Sequence, residues 1–262
     1  MTQWKHRCKL EWMMARQNCL TASDVKDLLP VTRTGRKRII DDESYLKVLS
    51  RKLIYLTKQD CVSVGAAARG HILEPYAIDV YNKTMDFDTA TLYHWDDIVV
   101  TRHHHHRYGL AFSPDAVSSP LDGDVPDCIV ANNGIKIIGE VKSYGPEHHM
   151  ICGYTNKADL DERWQIATAM AVADTIEKAL LLFYNPSMTD RLFVVDYDRE
   201  DLDEEIKMVL EVEKNWLGWI ENLDKLDRNF LIPNTRNTEL DIIYEIMQRE
   251  ELNPNGEKSV IL

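Results

Sequence analysis

The sequence predicts an α/β (α+β) fold in which a central mixed β-sheet is flanked by helices. Helical periodicity dominates up to about residue 81, and strand-like runs then occupy roughly residues 98–142. A helix predicted at 158–175 is followed by two apolar strands, predicted at 179–184 and 191–196. Strands and helices in this order pack as a sheet that is covered by helices.

The chain is long enough for one domain with a sizeable core, because it has 262 residues, of which 44% are hydrophobic. We expect this domain to span residues 1–226 and to end with a long acidic helix at about 201–226. Residues 227–262 are predicted to form a C-terminal extension that contains a short helix at about 240–249.

Cysteine usage and hydropathy indicate the compartment. An odd, scattered set of five cysteines without a Cys-x-x-Cys pair is typical of a reducing environment and argues against disulfides, zinc and iron–sulfur clusters. The first residues contain no apolar signal-peptide core, and no apolar run approaches the roughly 20 residues of a membrane span. We therefore expect a cytoplasmic protein without a membrane partner.

Two short motifs, separated by a turn-rich connection, carry residue types that hydrolyse phosphodiesters. They are Ser113-Pro114-Asp115 and Gly139-Glu140-Val141-Lys142. Side chains alternate across a strand, so Glu140 and Lys142 share one face while Val141 points into the core. If the two strands pair, Asp115 and Glu140 present oxygen ligands to a divalent cation, with Lys142 beside the reacting water.

Each of these residues also has a plainer interpretation. A Glu-x-Lys pattern alone is common on solvated strands, although Pro114 restrains the backbone next to Asp115 and favours a functional role. Glu74, in a mostly helical stretch, could be an exposed carboxylate near a proline-marked boundary. Gln165, on a predicted amphipathic helix, could be solvated, or it could reach the reacting water from the helix that follows Glu-x-Lys.

The order of these residues resembles the PD-(D/E)xK nuclease superfamily, and in particular its phage lambda exonuclease branch (YqaJ-type viral recombinases). The chain also resembles that branch in three N-terminal motifs, which are Trp12-Met13-Met14-Ala15-Arg16, Leu20-Thr21-Ala22-Ser23 and Arg33-Thr34-Gly35-Arg36-Lys37. The resemblance extends from about Trp12 to about Asn222 and implies a restriction-endonuclease-like core. The chain departs from the family pattern at Ala167, where a second glutamine is expected.

The resemblance implies a magnesium site. Asp115, Glu140 and the Val141 carbonyl would bind the principal Mg²⁺ ion, for which Mn²⁺ is expected to substitute, whereas Ca²⁺ would bind without supporting cleavage. Glu74 would contribute a water ligand or a second ion, so the number of ions stays open.

The resemblance also implies roles for the remaining motif residues. Lys142 would position and activate the attacking water, and Gln165 would orient that water or the scissile phosphate. A pocket for a terminal 5′ phosphate would be formed by Arg16 and Ser23, together with Ser113. The residues expected to grip the duplex near its fraying end are Arg33, Arg36 and Lys37.

Charge distribution bears on the DNA hypothesis independently. The whole chain has a net charge of −12, which by itself argues against a nucleic-acid partner. Residues 1–70, however, carry 14 Lys and Arg against 7 Asp and Glu, a net charge of +7, while the other 192 residues carry 17 against 36, a net charge of −19. This asymmetry is typical of a protein in which one wall of a channel meets phosphate, although a basic run can also be a solvated loop.

Four adjacent histidines, His103 to His106, suggest a metal cluster at first sight. On a strand their side chains would alternate between faces, so they cannot all bind one ion. Because Arg102 and Arg107 flank the run, contact with DNA phosphate or with solvent is the preferred interpretation.

Taken with the resemblance, these observations predict a magnesium-dependent 5′-to-3′ exonuclease that acts on double-stranded DNA ends. It would generate 3′ single-stranded overhangs for a single-strand annealing protein in phage-type homologous recombination, in a bacterial or phage-infected host cell. The resemblance further implies a ring-shaped homotrimer. Two alternatives are a structure- or site-specific DNA endonuclease on the same fold and a non-catalytic DNA-end-binding module.

Overall fold

The structure, a computed structural model, describes 12–13, 16–32, 35–53, 66–85, 90–95, 99–102, 108–118, 128–130 and 135–225. The helices are α1 (Ala22–Leu28), α2 (Asp42–Lys52), α3 (Ala66–Thr84), α4 (Pro146–Thr155), α5 (Leu160–Val172) and α6 (Asp203–Lys225). The strands are β1 (Leu20–Thr21), β2 (Tyr93–His94), β3 (Val99–Thr101), β4 (Leu110–Phe112), β5 (Ala116–Val117), β6 (Cys128–Val130), β7 (Ile137–Lys142), β8 (Lys178–Tyr184) and β9 (Leu192–Asp198).

The strands form two mixed sheets. The larger sheet has the order β2-β5-β7-β8-β9, with β7 and β8 parallel and the other neighbours antiparallel. The smaller sheet has the order β1-β4-β3-β6 and also combines parallel and antiparallel pairs. The predicted mixed sheet flanked by helices is therefore confirmed, and the predicted strand region is divided between two sheets.

The central strands of the larger sheet, β7 and β8, are buried on both faces because α3 covers one face and α5 the other. Val141 and Leu182 pack in the α3 cluster, whereas Ile138 and Phe183 pack in the cluster that contains α5. A parallel pair such as β7 and β8 has both faces covered in most folds, and its strands are correspondingly apolar. The carboxyl end of β7, where Lys142 lies, is therefore held between two helices.

Helix α6 packs on α5 and closes the core on that side. Trp216 is fully buried, and its Nε1 donates to the Tyr108 carbonyl at 3.0 Å. An ion pair between Arg163 and Glu205 joins the two helices nearer the surface. The predicted helices at 158–175 and 201–226 correspond to α5 and α6, and both predicted apolar strands are present as β8 and β9.

Helix α4 was not predicted from the sequence. Its apolar residues lie on both sides, with Cys152 buried while Met150, Ile151 and Tyr154 are exposed. A helix with apolar residues on opposite faces has no clear 3.6-residue hydrophobic period, so its sequence carries little signal.

Several predictions fall outside the described residues. They concern the extension at 227–262, Arg33, and the histidines at 103–106. Among the helices that are described, none is both long enough and apolar enough to cross a membrane.

Candidate active site

Strands β5 and β7 bring the two sequence motifs together. They pair antiparallel with Ala116 opposite Gly139, so Asp115 and Glu140 are the next residues along the two strands. The Val141 amide donates to Asp115 Oδ2 at 2.8 Å and fixes the orientation of that carboxylate. The two sequence motifs thus meet at one end of the β5–β7 strand pair.

Gly139 permits this close approach. A Cβ atom at position 139 would lie 2.9 Å from Leu92 Cδ1 and 3.2 Å from Ala116 Cβ. Both distances are shorter than carbon–carbon contact. A side chain at position 139 would therefore force the Leu92 side chain and strand β5 to shift.

Lys142 is the centre of a hydrogen-bonded cluster. Its Nζ donates to Glu140 Oε1 at 2.7 Å and to Gln165 Oε1 at 2.8 Å, and Gln165 Nε2 also donates to Glu140 Oε1. Glu140 and Lys142 lie on the same face of β7, as strand alternation predicts. Gln165 reaches them from α5, so one strand and one helix supply the cluster.

Burial and neighbouring charges shift the pKa values of this cluster in a consistent way. Burial, together with the charges of Glu140 and Glu74, raises the pKa of Asp115 well above its ordinary value. Burial would lower the pKa of Lys142, but the charges of Glu140 and Asp115 outweigh it and raise that pKa. Lys142 is therefore a cation at neutral pH, and it acts as a hydrogen-bond donor rather than as a base.

Glu74 approaches the same carboxylates from α3. His71 Nδ1 lies 3.1 Å from Glu74 Oε1, and His94 Nε2 lies 3.8 Å from Glu74 Oε2. Burial would raise the pKa of Glu74, but the hydrogen bond with His71 and the proximity of His94 lower it to about 2. Glu74 is therefore ionised, and its charge adds to the repulsion at Asp115.

These carboxylates fit a hard divalent cation in their chemistry. Asp115, Glu140 and Glu74 place three carboxyl groups near one another, and Lys142 is the cation hydrogen-bonded to Glu140. Burial first, and then the charges of Glu140 and Glu74, raise the pKa of Asp115, and a divalent cation would favour its ionised form. Within the described residues, no three His, Cys, Asp or Glu side chains are already gathered around one ion position, so binding an ion requires side-chain adjustment.

A pocket beside the carboxylates holds the residues predicted to bind a 5′ phosphate. Its lining includes Arg16, Ser23, Ser113, Glu140 and Gln165. Ser23 is exposed on the first turn of α1, whereas Ser113 is partly buried. The residues predicted for phosphate binding therefore face one space with Glu140 and Gln165, whereas Asp115 and Lys142 are not part of the lining.

Arg16 is held in this pocket by aromatic and charged neighbours. Its guanidinium lies over the Trp12 ring, 4.5 Å from the centroid, and Trp12 Nε1 donates to Ser113 Oγ at 2.9 Å. Burial lowers the pKa of Arg16, and the charges of Asp24, Glu140 and Asp115 partly offset that effect. An enclosed guanidinium of this kind is suited to bind an anion that enters the pocket.

No protein-family model matches the chain, and no curated protein matches it in sequence. Among solved structures, the alkaline exonuclease LHK-Exo from Laribacter hongkongensis matches with a TM-score of 0.51 and 19% identity, over 82% of this chain and 98% of that chain. A structure of LHK-Exo in complex with dAMP matches over the same shares, with a TM-score of 0.50 and 19% identity. The chain shares the fold of an alkaline exonuclease. The resemblance to the lambda exonuclease branch is thereby confirmed at the level of fold.

The loop between α1 and α2 carries two of the predicted DNA-gripping residues, Arg36 and Lys37. Val31 and Lys37 form an antiparallel bridge around a tight turn, in which Gly35 has a φ of 76°. Arg36 and Lys37 are exposed there and are not part of the lining of the pocket. Arg38 is turned inward, where its guanidinium donates to the Lys26 carbonyl at 2.7 Å.

A buried carboxylate, that of Asp24, connects α1 to α2 through hydrogen bonds and ion pairs. Asp24 accepts from the Thr21 hydroxyl at 2.6 Å and pairs with Lys52 and Arg51 of α2. Lys52 Nζ also donates to the Arg16 carbonyl at 3.3 Å. The backbone that carries Arg16 is therefore anchored to both α1 and α2.

Sequence reasoning missed two groups that lie next to the predicted cluster. One is His94, which reaches Glu74 through the pairing of β2 with β5. The other is Glu162, a buried carboxylate that accepts a hydrogen bond from the Tyr144 hydroxyl and helps to raise the pKa of Lys142. Glu162 lies three residues before Gln165, so helical spacing could have placed both on one face. Nothing in the sequence near His94 indicates its position.

Proposed function

We propose that this protein is a magnesium-dependent deoxyribonuclease that degrades double-stranded DNA from 5′ ends. The observation that carries the proposal is the shared pocket, in which Arg16 and Ser23 lie beside Glu140 and Gln165. A phosphate-binding arginine next to a hydrolytic cluster is the arrangement that an end-recognising nuclease needs, because the terminal phosphate sets the distance to the scissile bond. The shared fold of LHK-Exo, an alkaline exonuclease that was also solved with dAMP, supports the same class of substrate.

The side chains of the carboxylate–lysine cluster would have separate roles in hydrolysis. A bound Mg²⁺, held by Asp115, Glu140 and the Val141 carbonyl with Glu74 at the helical side, would supply Lewis-acid stabilisation of the reacting phosphate. The Lys142 ammonium would donate to the attacking water or to the phosphate oxygens, where negative charge develops. Gln165, with its amide fixed between Lys142 and Glu140, would orient the same groups.

Arg16 and the serines would select the substrate end. A guanidinium binds a phosphate through two parallel hydrogen bonds, and the Ser23 hydroxyl adds a donor from the first turn of α1. Ser113 Oγ already accepts from Trp12 Nε1, so its own hydroxyl hydrogen can point into the pocket. Exposed cations on the loop between α1 and α2 would contact the duplex further away.

Removal of nucleotides from 5′ ends leaves 3′ single-stranded overhangs. These are the substrates of a single-strand annealing protein, which we propose as the partner in homologous recombination. The acidic body of the chain suits a closed homo-oligomer in which duplex is retained by enclosure rather than by net charge, and the resemblance to the lambda exonuclease branch implies that it is a trimer. Retention of this kind would make the digestion processive.

A digest of linear and covalently closed circular duplexes of the same sequence, with Mg²⁺, tests the proposal. We expect complete degradation of the linear form from its 5′ ends, with the closed circle intact. Cleavage of the circle would instead indicate the structure- or site-specific endonuclease. Binding of linear ends without cleavage in Mg²⁺ or Mn²⁺ would indicate the non-catalytic end-binding module.

A further inference from the structure

His94 occupies an unusual position beside the carboxylates. It ends β2 and pairs with Ala116 of β5, the residue that follows Asp115. Its Nε2 atom is buried and has no hydrogen-bond partner among the described residues. A buried ring nitrogen without a partner is costly, so its position next to the candidate site calls for a ligand.

The distance between His94 and Glu74 is informative. His94 Nε2 lies 3.8 Å from Glu74 Oε2, which is too long for a hydrogen bond. Two ligands bound to one cation at about 2.1 Å each are separated by roughly 3 to 4 Å, depending on the angle between them. The gap is therefore of the size that an ion between the two side chains would occupy.

The surroundings hold Glu74 in the orientation that leaves this gap. His71 Nδ1, one helical turn earlier on α3, lies 3.1 Å from Glu74 Oε1. The other oxygen, Oε2, is the one that faces His94. Asp115 directly precedes Ala116, the strand partner of His94, and its carbonyl accepts from the Trp95 amide at 3.1 Å, so a second carboxylate comes from the neighbouring strand.

We propose that His94 is a nitrogen ligand of a cation bound between Glu74 and Asp115, and that it makes this site favour Mn²⁺ and similar transition-metal ions over Mg²⁺. Imidazole nitrogen binds transition metals well, whereas Mg²⁺ prefers oxygen ligands and keeps its waters. The inference rests on the proposed function, because it assigns a metal preference to the same site. It adds a residue from β2 to a ligand set that otherwise consists of oxygen atoms.

Pulsed electron paramagnetic resonance of the full-length protein with one equivalent of Mn²⁺ tests this assignment. A directly bound imidazole produces ¹⁴N modulation of the electron spin echo, and we expect that signal in the wild type and its loss in His94→Gln. In titrations of the same variant, the Mn²⁺ dissociation constant should rise about tenfold or more, while that for Mg²⁺ changes less than about twofold.

Two variants serve as controls. His148 of α4 has its Nε2 3.7 Å from Oδ2 of Asp159, the residue before α5, which is almost the same histidine–carboxylate separation, so His148→Gln should keep the ¹⁴N signal. Asp115→Asn should weaken binding of both ions. Melting temperatures of all variants are measured without metal, so that a loss of folding is recognised.

The outcomes separate the inference from the proposed function. If Mn²⁺ binds in an Asp115-dependent manner but the wild type has no ¹⁴N signal, His94 is not a ligand and the nuclease proposal stands. If His94→Gln weakens Mn²⁺ and Mg²⁺ equally, the histidine is only structural and the inference is wrong. If neither ion binds to the wild type at millimolar concentration, the metal-dependent function and the inference both fail.

Discussion

Lys142 and Gln165 are joined by a hydrogen bond of 2.8 Å between Nζ and Oε1, which ties the last residue of β7 to the second turn of α5. Both side chains also contact the same oxygen of Glu140. Because this strand and this helix belong to different packing layers, the geometry of the cluster depends on how α5 sits on the sheet. Gln165 therefore positions Lys142.

The first prediction concerns the catalytic cluster. Asp115→Ala, Glu140→Ala and Lys142→Ala should each reduce DNA hydrolysis by about 100-fold or more, because each removes a metal ligand or a donor to the developing charge. Binding of duplex ends in Ca²⁺, measured by fluorescence anisotropy, should persist. Ca²⁺ alone should not support cleavage, since its looser coordination orients the reacting groups poorly.

A matched control for Lys142 lies on the neighbouring strand. Lys178, at the start of β8, forms exposed ion pairs with Asp196 and Asp198. Lys178→Ala should leave the hydrolysis rate within about twofold, because exposed ion pairs contribute little. Wild-type hydrolysis by purified Lys142→Ala would refute the assignment.

The second prediction concerns the DNA end. A duplex with a 5′ phosphate should be digested about 10- to 100-fold faster than the same duplex with a 5′ hydroxyl, because a charge-assisted bidentate contact contributes about 1.5–3 kcal/mol. Arg16→Ala should remove most of this preference by slowing digestion of the phosphorylated end. Initial rates on labelled duplexes measure both effects.

An exposed arginine outside the pocket provides the comparison. Arg191, just before β9, is exposed and is not among the residues that line the pocket, so Arg191→Ala should keep the phosphate preference. Equal rates on both kinds of end in the wild-type protein would show that the pocket does not read the phosphate.

The third prediction is a pH dependence of metal binding. The pKa of Asp115 is raised by burial and by the charges of Glu140 and Glu74, so without metal this carboxyl keeps its proton above the ordinary range of aspartate. A cation must displace that proton, and its apparent affinity therefore falls as pH falls below the raised pKa and levels off above it. The slope should approach tenfold per pH unit, since one proton is released.

Isothermal titration calorimetry in buffers of different ionisation enthalpy measures the released proton directly. Asp115→Asn carries no such proton, so its weaker Mg²⁺ binding should depend much less on pH. A wild-type affinity that is constant between pH 5 and pH 9 would contradict the raised pKa.

The fourth prediction concerns the packing that brings the two strands together. Gly139→Ala should destabilise the protein by about 1–3 kcal/mol, because its Cβ would press on Leu92 and Ala116. Gly218→Ala, in α6 with no atom within 4 Å of the added Cβ, should instead stabilise it by up to about 1 kcal/mol. The urea concentration at the unfolding midpoint should therefore decrease for Gly139→Ala and increase for Gly218→Ala, relative to the wild type.

The fifth prediction concerns assembly. Light scattering at micromolar protein concentration should give three times the 30.3 kDa mass of one chain. When excess unlabelled competitor DNA is added after digestion has begun, the long linear duplexes that are already bound should still be digested to completion. A monomeric mass would contradict the closed oligomer, and with it the proposed explanation of processive digestion by enclosure of the duplex.

Local signals in the sequence were sufficient for the main elements and for the central cluster. Strand alternation placed Glu140 and Lys142 on one face, because a period of two residues is visible in a few neighbouring residues. Gln165 was assigned to a helix, but the sequence left open whether its side chain is solvated or reaches the cluster. The structure brings these side chains into hydrogen-bonding contact.

Other features depend on pairings that no local period encodes. Strands β2 and β5 are two residues long, too short to show alternation, so the position of His94 next to the site follows only from the sheet order. The division of the strands into two sheets has the same origin. Helix α4 was missed because it has apolar residues on opposite faces.

The internal use of basic residues in the N-terminal segment has a consequence for how DNA is held. Arg38 donates hydrogen bonds to backbone carbonyls, while Arg51 and Lys52 form ion pairs with acidic side chains. Each phosphate contact adds about −0.9 to the slope of log affinity against log salt, through counterion release. Cations that are already paired within the protein contribute little to that slope. The net charge of the segment therefore overestimates the number of phosphate contacts that it makes with duplex DNA. For the exonuclease proposed above, a loose electrostatic hold lets the DNA advance after each nucleotide leaves.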